Sequence, residues 1–172
     1  MTRLRYNALV MDSISAINKD DEYWMHLALE EAARAFELGE VPVGAVAVLD
    51  GQVIARGYNS KESKQDPTAH AELLVLKQAA ERLDNWRLLN VVLYSTLEPC
   101  AMCAGAMIQA RLTRLVYGAK DLRFGVNGSI FDMLSEPLFN HQVEITSGVL
   151  ENESAELLQH FFRGIRRRDK KN

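Results

Sequence analysis

At 172 residues, with 48% apolar residues and only four prolines, the chain has the length and composition of one domain with a sizeable core. No stretch approaches the roughly 20 apolar residues of a membrane span, so no membrane partner is expected. The formal net charge of −3 is unevenly spread: residues 159–172 hold six cations against Asp169 alone, a local +5 that leaves −8 for the rest.

In chain order, residues 1–20 read as an N-terminal extension outside the domain, which spans residues 21–172. The extension carries Arg3 and Arg5 but no long apolar core and no clear small-residue cleavage site, so it is not read as a signal peptide. A disordered arm, a short extra helix and sequence upstream of a start at Met11 all fit it. From Glu22 to Leu38, apolar Trp24, Leu27, Ala28, Ala32, Ala35 and Phe36 recur with helical spacing, and Gly39 closes the run. Val43 to Leu49, Asp50-Gly51 and Gln52 to Tyr58 form two short strands around a hairpin dipeptide. Asp66-Pro67-Thr68 offers a cap and a proline ahead of a helix from Ala69 to Leu76.

Val91 to Thr96 is an apolar strand, and Glu98-Pro99-Cys100 carries it into a helix whose first turn would hold Pro99. Arg114 to Tyr117 reads as a strand, Lys120 to Ser129 as a glycine-bearing loop, Val143 to Thr146 as a further strand and Glu153 to Arg168 as a closing helix. Strands alternating with helices make the fold class α/β, a three-layer helix-sheet-helix sandwich around a mixed sheet.

The chain's chemistry is concentrated at its two cysteines, Cys100 and Cys103, in Pro99-Cys100-Ala101-Met102-Cys103, and at His70-Ala71-Glu72 thirty positions upstream. A Cys-x-x-Cys can be a redox pair. A zinc ribbon needs a second cysteine pair that this sequence lacks, and a closed Cys2His2 site would have to recruit His26, His141 or His160. The whole string, His-x-Glu followed by Pro-Cys-x-x-Cys, is instead the signature of the zinc-dependent nucleobase deaminases. Structural zinc sites use four protein ligands, whereas catalytic ones keep three and leave a position for water. His70, Cys100 and Cys103 make three.

Cys100 and Cys103, three apart at a helix start, share a face where the helix dipole favours thiolate. Glu72, two residues beyond His70, is turned away from the ligand face and reaches the water instead. Zinc lowers the pKa of water it binds towards about 7. Glu72 is then the catalytic proton carrier, taking the water's proton, delivering it to a ring nitrogen and later helping ammonia to leave. With both cysteines committed to Zn2+, none remains for a disulfide, and a cytoplasmic location is expected.

Phe161 and Phe162 immediately precede the C-terminal cations, and aromatic plus arginine is a grip for single-stranded nucleic acid. Adjacent helical residues diverge by about 100 degrees, so one of the two phenylalanines is expected in the core. The same cations also compensate a helix C-terminus as an ordinary solvated end would.

From Glu22 to the C-terminal arginines the chain resembles the bacterial tRNA-specific adenosine deaminases of the TadA type. The strings that carry the resemblance beyond the zinc motif are Val41-Pro42-Val43-Gly44-Ala45, Gly57-Tyr58-Asn59, Asp66-Pro67-Thr68-Ala69, Gly118-Ala119-Lys120-Asp121, Phe139-Asn140-His141 and Phe161-Phe162-Arg163. The resemblance implies a cytidine-deaminase-like fold with a five-stranded sheet, a homodimer, one Zn2+ per subunit, and hydrolysis of adenosine to inosine at the wobble position of a tRNA anticodon stem-loop. It further implies that Asn59 hydrogen-bonds the target nucleotide, that Asp121 contacts a neighbouring ribose 2′-OH, and that Phe162 with the following arginines receives anticodon-loop bases and phosphates. Gly164 departs from the pattern, as an interruption of the final helix. The alternative enzyme is a guanine or cytosine free-base deaminase of the same fold, which has no need of a basic terminal helix.

Overall fold

Asp50 and Gly51 both take left-handed backbone angles, φ 50° and 71°, as a two-residue primed turn requires. They join β1 (Gly44–Leu49) and β2 (Gln52–Tyr58) in an antiparallel hairpin with a bulge between Ala47 and Val48. The computed structural model describes residues 21–169, so the extension expected over residues 1–20 and the cations Lys170 and Lys171 lie outside the described residues. On its other edge β1 pairs antiparallel with β3 (Val92–Leu97), which pairs parallel with β4 (Arg114–Ala119), which pairs parallel with β5 (Glu144–Ser147). The order β2-β1-β3-β4-β5 is the mixed five-stranded sheet expected.

Strand alternation sorts the core into two layers. Ala45, Ala47, Leu93, Leu115 and Tyr117 face helices α3 (Ala71–Leu83) and α4 (Ala101–Gln109), whose Val75, Leu76, Met107 and Ile108 cover them. Val46, Val48, Tyr94 and Val116 face the opposite side, where Met25 and Ala28 of α1, helical over residues 21–37, close the layer. There α1 lies directly on the sheet: a Cβ on Gly44 would stand 2.0 Å from the Ala28 carbonyl oxygen, so only glycine admits the helix. Helix α5 (Glu151–Asp169) packs beside α1, with Phe161 and Phe36 edge to face at 5.8 Å. A single short turn, α2 (Lys61–Lys64), lies between β2 and α3.

Three local expectations are corrected. Pro99 precedes the helix it was expected to open, because Cys100 is the extended N-cap and α4 starts at Ala101. Asp66 does not cap α3. Its Oδ1 accepts from Thr68 N at 2.8 Å and Thr68 Oγ at 2.6 Å, closing its own turn, and His70 occupies the cap position. Gly164 does not interrupt α5, which runs continuously through it. A mid-helix glycine costs about 1 kcal/mol relative to alanine, too little to break a helix otherwise anchored by packing.

Candidate active site

The metal-ligand candidates sit at the starts of two helices on the same face of the sheet. His70 is the N-cap of α3 and Cys100 the N-cap of α4, both with extended backbone, and Cys103 follows within the first turn of α4. His70 Nδ1 lies 3.7 Å from Cys100 Sγ and 3.6 Å from Cys103 Sγ, and the two sulfurs are 3.7 Å apart. Zinc bonds of about 2.3 Å to sulfur and 2.0 Å to nitrogen give a tetrahedron with edges of about 3.8 Å and 3.5 Å. The three ligand atoms fit those edges, and two sulfurs with one imidazole are a donor set that suits zinc.

The three groups of the cluster differ in acidity. The Cys100 thiol is lowered to about 4, chiefly by the hydrogen bond from Cys103, which outweighs burial, with further help from His70. Cys103 is pushed far upward by that same bond and by burial. His70 is raised by its bond to Cys100 against the effect of burial. One sulfur therefore stands ready as thiolate, the form a metal takes.

Among the described residues the metal-capable cluster consists of these three. His141 instead donates Nε2–H to the Leu112 carbonyl at 2.6 Å, and His160 lies against the Phe36 ring at 5.5 Å. Neither closes the site.

Glu72, in the first turn of α3, is 4% exposed, and burial raises its carboxyl to about 7. It lines, with His70 and Cys100, a cleft of about 770 Å³. Asn59 and Asp121 line the same cleft, as do Phe162 and Arg166 one turn apart on α5. His70, Glu72, Cys100, Asn59, Asp121, Phe162 and, of the following arginines, Arg166 thus share one cavity, and Cys103 Sγ lies within 3.7 Å of two residues that line it.

Their contacts differ. Asn59 is 6% exposed and its Nδ2 donates to Glu40 Oε2 at 3.2 Å. Asp121 closes its own loop, Oδ1 accepting from the amides of Arg123 at 2.9 Å and Phe124 at 3.2 Å. Phe162 is 42% exposed while Phe161 is 6% exposed, dividing the pair between cleft and core.

Of the buried acids not anticipated from the sequence, Glu40 bonds a residue that lines the cleft and Glu98 lines it. Glu40 accepts from the amides of Glu62 and Ser63 as well as from Asn59. Glu98 accepts from the loop that follows β4. The one sequence signal at Glu98 is its place directly before Pro99-Cys100.

Three candidate ligands with a separate buried acid match a catalytic metal site, which leaves one position open, more closely than a structural one, and the sheet is that of the cytidine-deaminase-like enzymes. The MafB19-like deaminase family model matches residues 19–166. The tRNA-specific adenosine deaminase of Bacillus subtilis (strain 168) is 48% identical over 150 residues, 87% of this chain and 93% of that protein. The chain belongs to the family of the tRNA-specific adenosine deaminases. A solved structure from a study of A-to-I editing by tRNA:A34 deaminases at the wobble position of transfer RNA is 49% identical, with a TM-score of 0.76 over 79% of this chain and 99% of that one. A guanine deaminase from Nitrosomonas europaea is more distant, at 25% identity and a TM-score of 0.71 over 81% of this chain and 83% of that one.

Proposed function

We propose that this protein hydrolyses adenosine to inosine at the wobble position of a tRNA anticodon, with Glu72 as the catalytic proton carrier and His70, Cys100 and Cys103 as ligands of one Zn2+. The observation that carries this reading is the cleft itself, where a buried carboxylate beside the ligand cluster shares one cavity with an exposed aromatic and an arginine from the basic terminal helix. Free-base deamination requires only the first half of that arrangement.

Bound zinc would supply a Lewis acid that makes water nucleophilic at neutral pH. Glu72, protonated or not near neutrality, can both take and return a proton. It accepts one proton from the attacking water and passes it to a ring nitrogen. The new C–O bond forms on the carbon that carries the amine, the C–N bond breaks, and the second proton leaves with ammonia, so adenosine and water become inosine and ammonia. Asn59 would orient the target nucleotide, Asp121 would contact a ribose 2′-OH beside it, and Phe162 with Arg166 would hold neighbouring bases and phosphates. An anticodon loop suits this cleft because unstacked bases are cheap to present.

The same reading makes the enzyme a cytoplasmic homodimer. Exposed Ile130, Phe131 and Leu138 support the dimer, since they offer apolar surface that a second copy would cover.

The test is inosine formation by the zinc-loaded protein, offered in parallel an arginine tRNA with an adenosine wobble base, free adenosine, free guanine and free cytosine. Inosine in the tRNA alone is expected. Turnover of a free base with the tRNA untouched would move the protein to nucleobase salvage.

A further inference from the structure

Glu98 is 1% exposed and stands between the end of β3 and the Cys100 turn. It lines the cleft itself, and its carboxylate is already taken up by donors of one neighbouring segment. Oε2 accepts from the Asp121 amide at 3.0 Å and from the Ser129 hydroxyl. Oε1 accepts from the amides of Asn127 at 2.8 Å and Ser129 at 3.2 Å. Every donor belongs to the segment 121–129.

The main chain reinforces this attachment. Glu98 N donates to the Ala119 carbonyl at 2.8 Å, Val126 N donates to the Pro99 carbonyl at 3.0 Å, and Cys100 and Gly125 form an isolated antiparallel bridge. The cradle is closed around the acid: a Cβ on Gly125 would lie 2.4 Å from Glu98 Cδ and 2.5 Å from the Asp121 carbonyl oxygen. The same segment presents Asp121 and Phe124 to the cleft.

A buried carboxylate is costly unless hydrogen bonds replace its water. Here those bonds come from a loop outside the named helices and strands, and they join that loop to a residue two positions before a metal-ligand candidate. We propose that Glu98 is a positioning residue that fixes the distance between the Cys100 turn and the Asp121 wall of the cleft, and so sets the grip on the nucleotide beside the reacting base. The inference rests on Asp121 acting as the ribose contact of the proposed function.

Glu98→Gln isolates the effect. The amide keeps one acceptor oxygen, which satisfies the Asn127 and Ser129 amides, and turns its NH2 towards the Asp121 N–H and the Ser129 hydroxyl. The hydroxyl can accept from NH2, but the Asp121 amide cannot, so donor meets donor at Asp121 alone. The expected result is faster deuterium exchange confined to residues 121–124, zinc content as in the wild type, a KM for an anticodon stem-loop raised about tenfold with kcat within about twofold, and a lowered RNA-to-DNA rate ratio.

Ser129→Ala removes one hydroxyl donor and leaves every backbone bond, and serves if Glu98→Gln does not fold. It should speed exchange over 127–129 and raise KM about threefold. Faster exchange at Asp121 with KM and the RNA-to-DNA ratio unchanged would overturn the proposal. So would zinc loss with a collapsed kcat and an unchanged KM, which describes a structural role, and so would a Ser129→Ala protein identical to wild type when Glu98→Gln is unfolded. A wild-type protein that leaves tRNA untouched defeats the function reading instead, whatever the variants do.

Discussion

Asn59 and Glu40 are joined at the edge of the cleft, with Asn59 Nδ2 donating to Glu40 Oε2 at 3.2 Å. An ionised carboxylate only accepts, so it fixes which way the amide points. Asn59 Oδ1, without a protein partner among the described residues, is left as an acceptor for a ligand. Asn59→Asp sets two carboxylates against each other and is expected to lower Tm by about 5 °C and raise KM for the stem-loop about tenfold. Thermal melting and steady-state kinetics on the same preparation check both.

Glu40 also gives the fold a defined acid sensitivity. Burial pushes its carboxyl up, but the hydrogen bonds from Ser63 and the Glu62 amide, with the Lys61 charge, leave it below the ordinary 4.5. A folded-state pKa below the unfolded one means stability that is fully present above about 4.5 and is lost as pH falls through the lower, folded value. Glu40→Gln should be less stable than wild type at pH 7 and should close that gap as pH is lowered from about 5 to 3. Parallel melting curves across the range would show the gap staying constant if Glu40 were not the group responsible.

Glu72→Ala should bind zinc and the stem-loop as the wild type does and deaminate at least about a hundredfold more slowly. Metal analysis, gel shift and inosine quantification separate the three properties. A Glu72→Ala protein that turned over at the wild-type rate would remove Glu72 from the proton transfers. Chelation of the wild type, by contrast, should abolish turnover until zinc is restored.

Phe161 and Phe162 should part company on substitution. Phe161→Ala empties a site packed on Phe36 and should cost about 3 kcal/mol of stability. Phe162→Ala should leave the melting temperature nearly unchanged and raise KM by about tenfold, the loss of one base stacked on an aromatic ring. Equal effects on stability would place both rings in the core.

Asp121→Asn retains the Oδ1 that closes the Arg123 and Phe124 turn and replaces the second oxygen with a donor. The expected outcome is a folded protein with a smaller RNA-to-DNA rate ratio, because the ribose hydroxyl is what separates the two substrates. Rates on matched RNA and DNA hairpins would read it directly, and an unchanged ratio would remove Asp121 from the ribose contact.

Much of the site was legible in the sequence because its parts are local. Cys100 and Cys103 are three apart at one helix start, and His70 and Glu72 two apart, so spacing alone separates the candidate ligands from the candidate acid. The hairpin around Asp50-Gly51 was readable for the same reason, and the second strand ends where its pattern ends. The order of the strands was not, since β1 lies between β2 and β3 through pairings that period-two patterning does not encode. Nor were Glu40 and Glu98. Each looks like any of the chain's 23 acidic residues until tertiary structure surrounds it with amide donors. His70 and Cys100 were expected just inside their helices and stand at the caps, a one-residue shift that the prolines alone could not resolve.

Because the candidate ligands come from the starts of α3 and α4, an ion held there would clasp residue 70 to residue 100 across the strand between them. Occupancy and folding free energy then become one quantity, since an ion that binds only the folded chain adds stability that grows with its free concentration. A simple heating curve would therefore count the loaded molecules in a preparation without any RNA present. Copies that had lost their ion would also be the first to open to a protease.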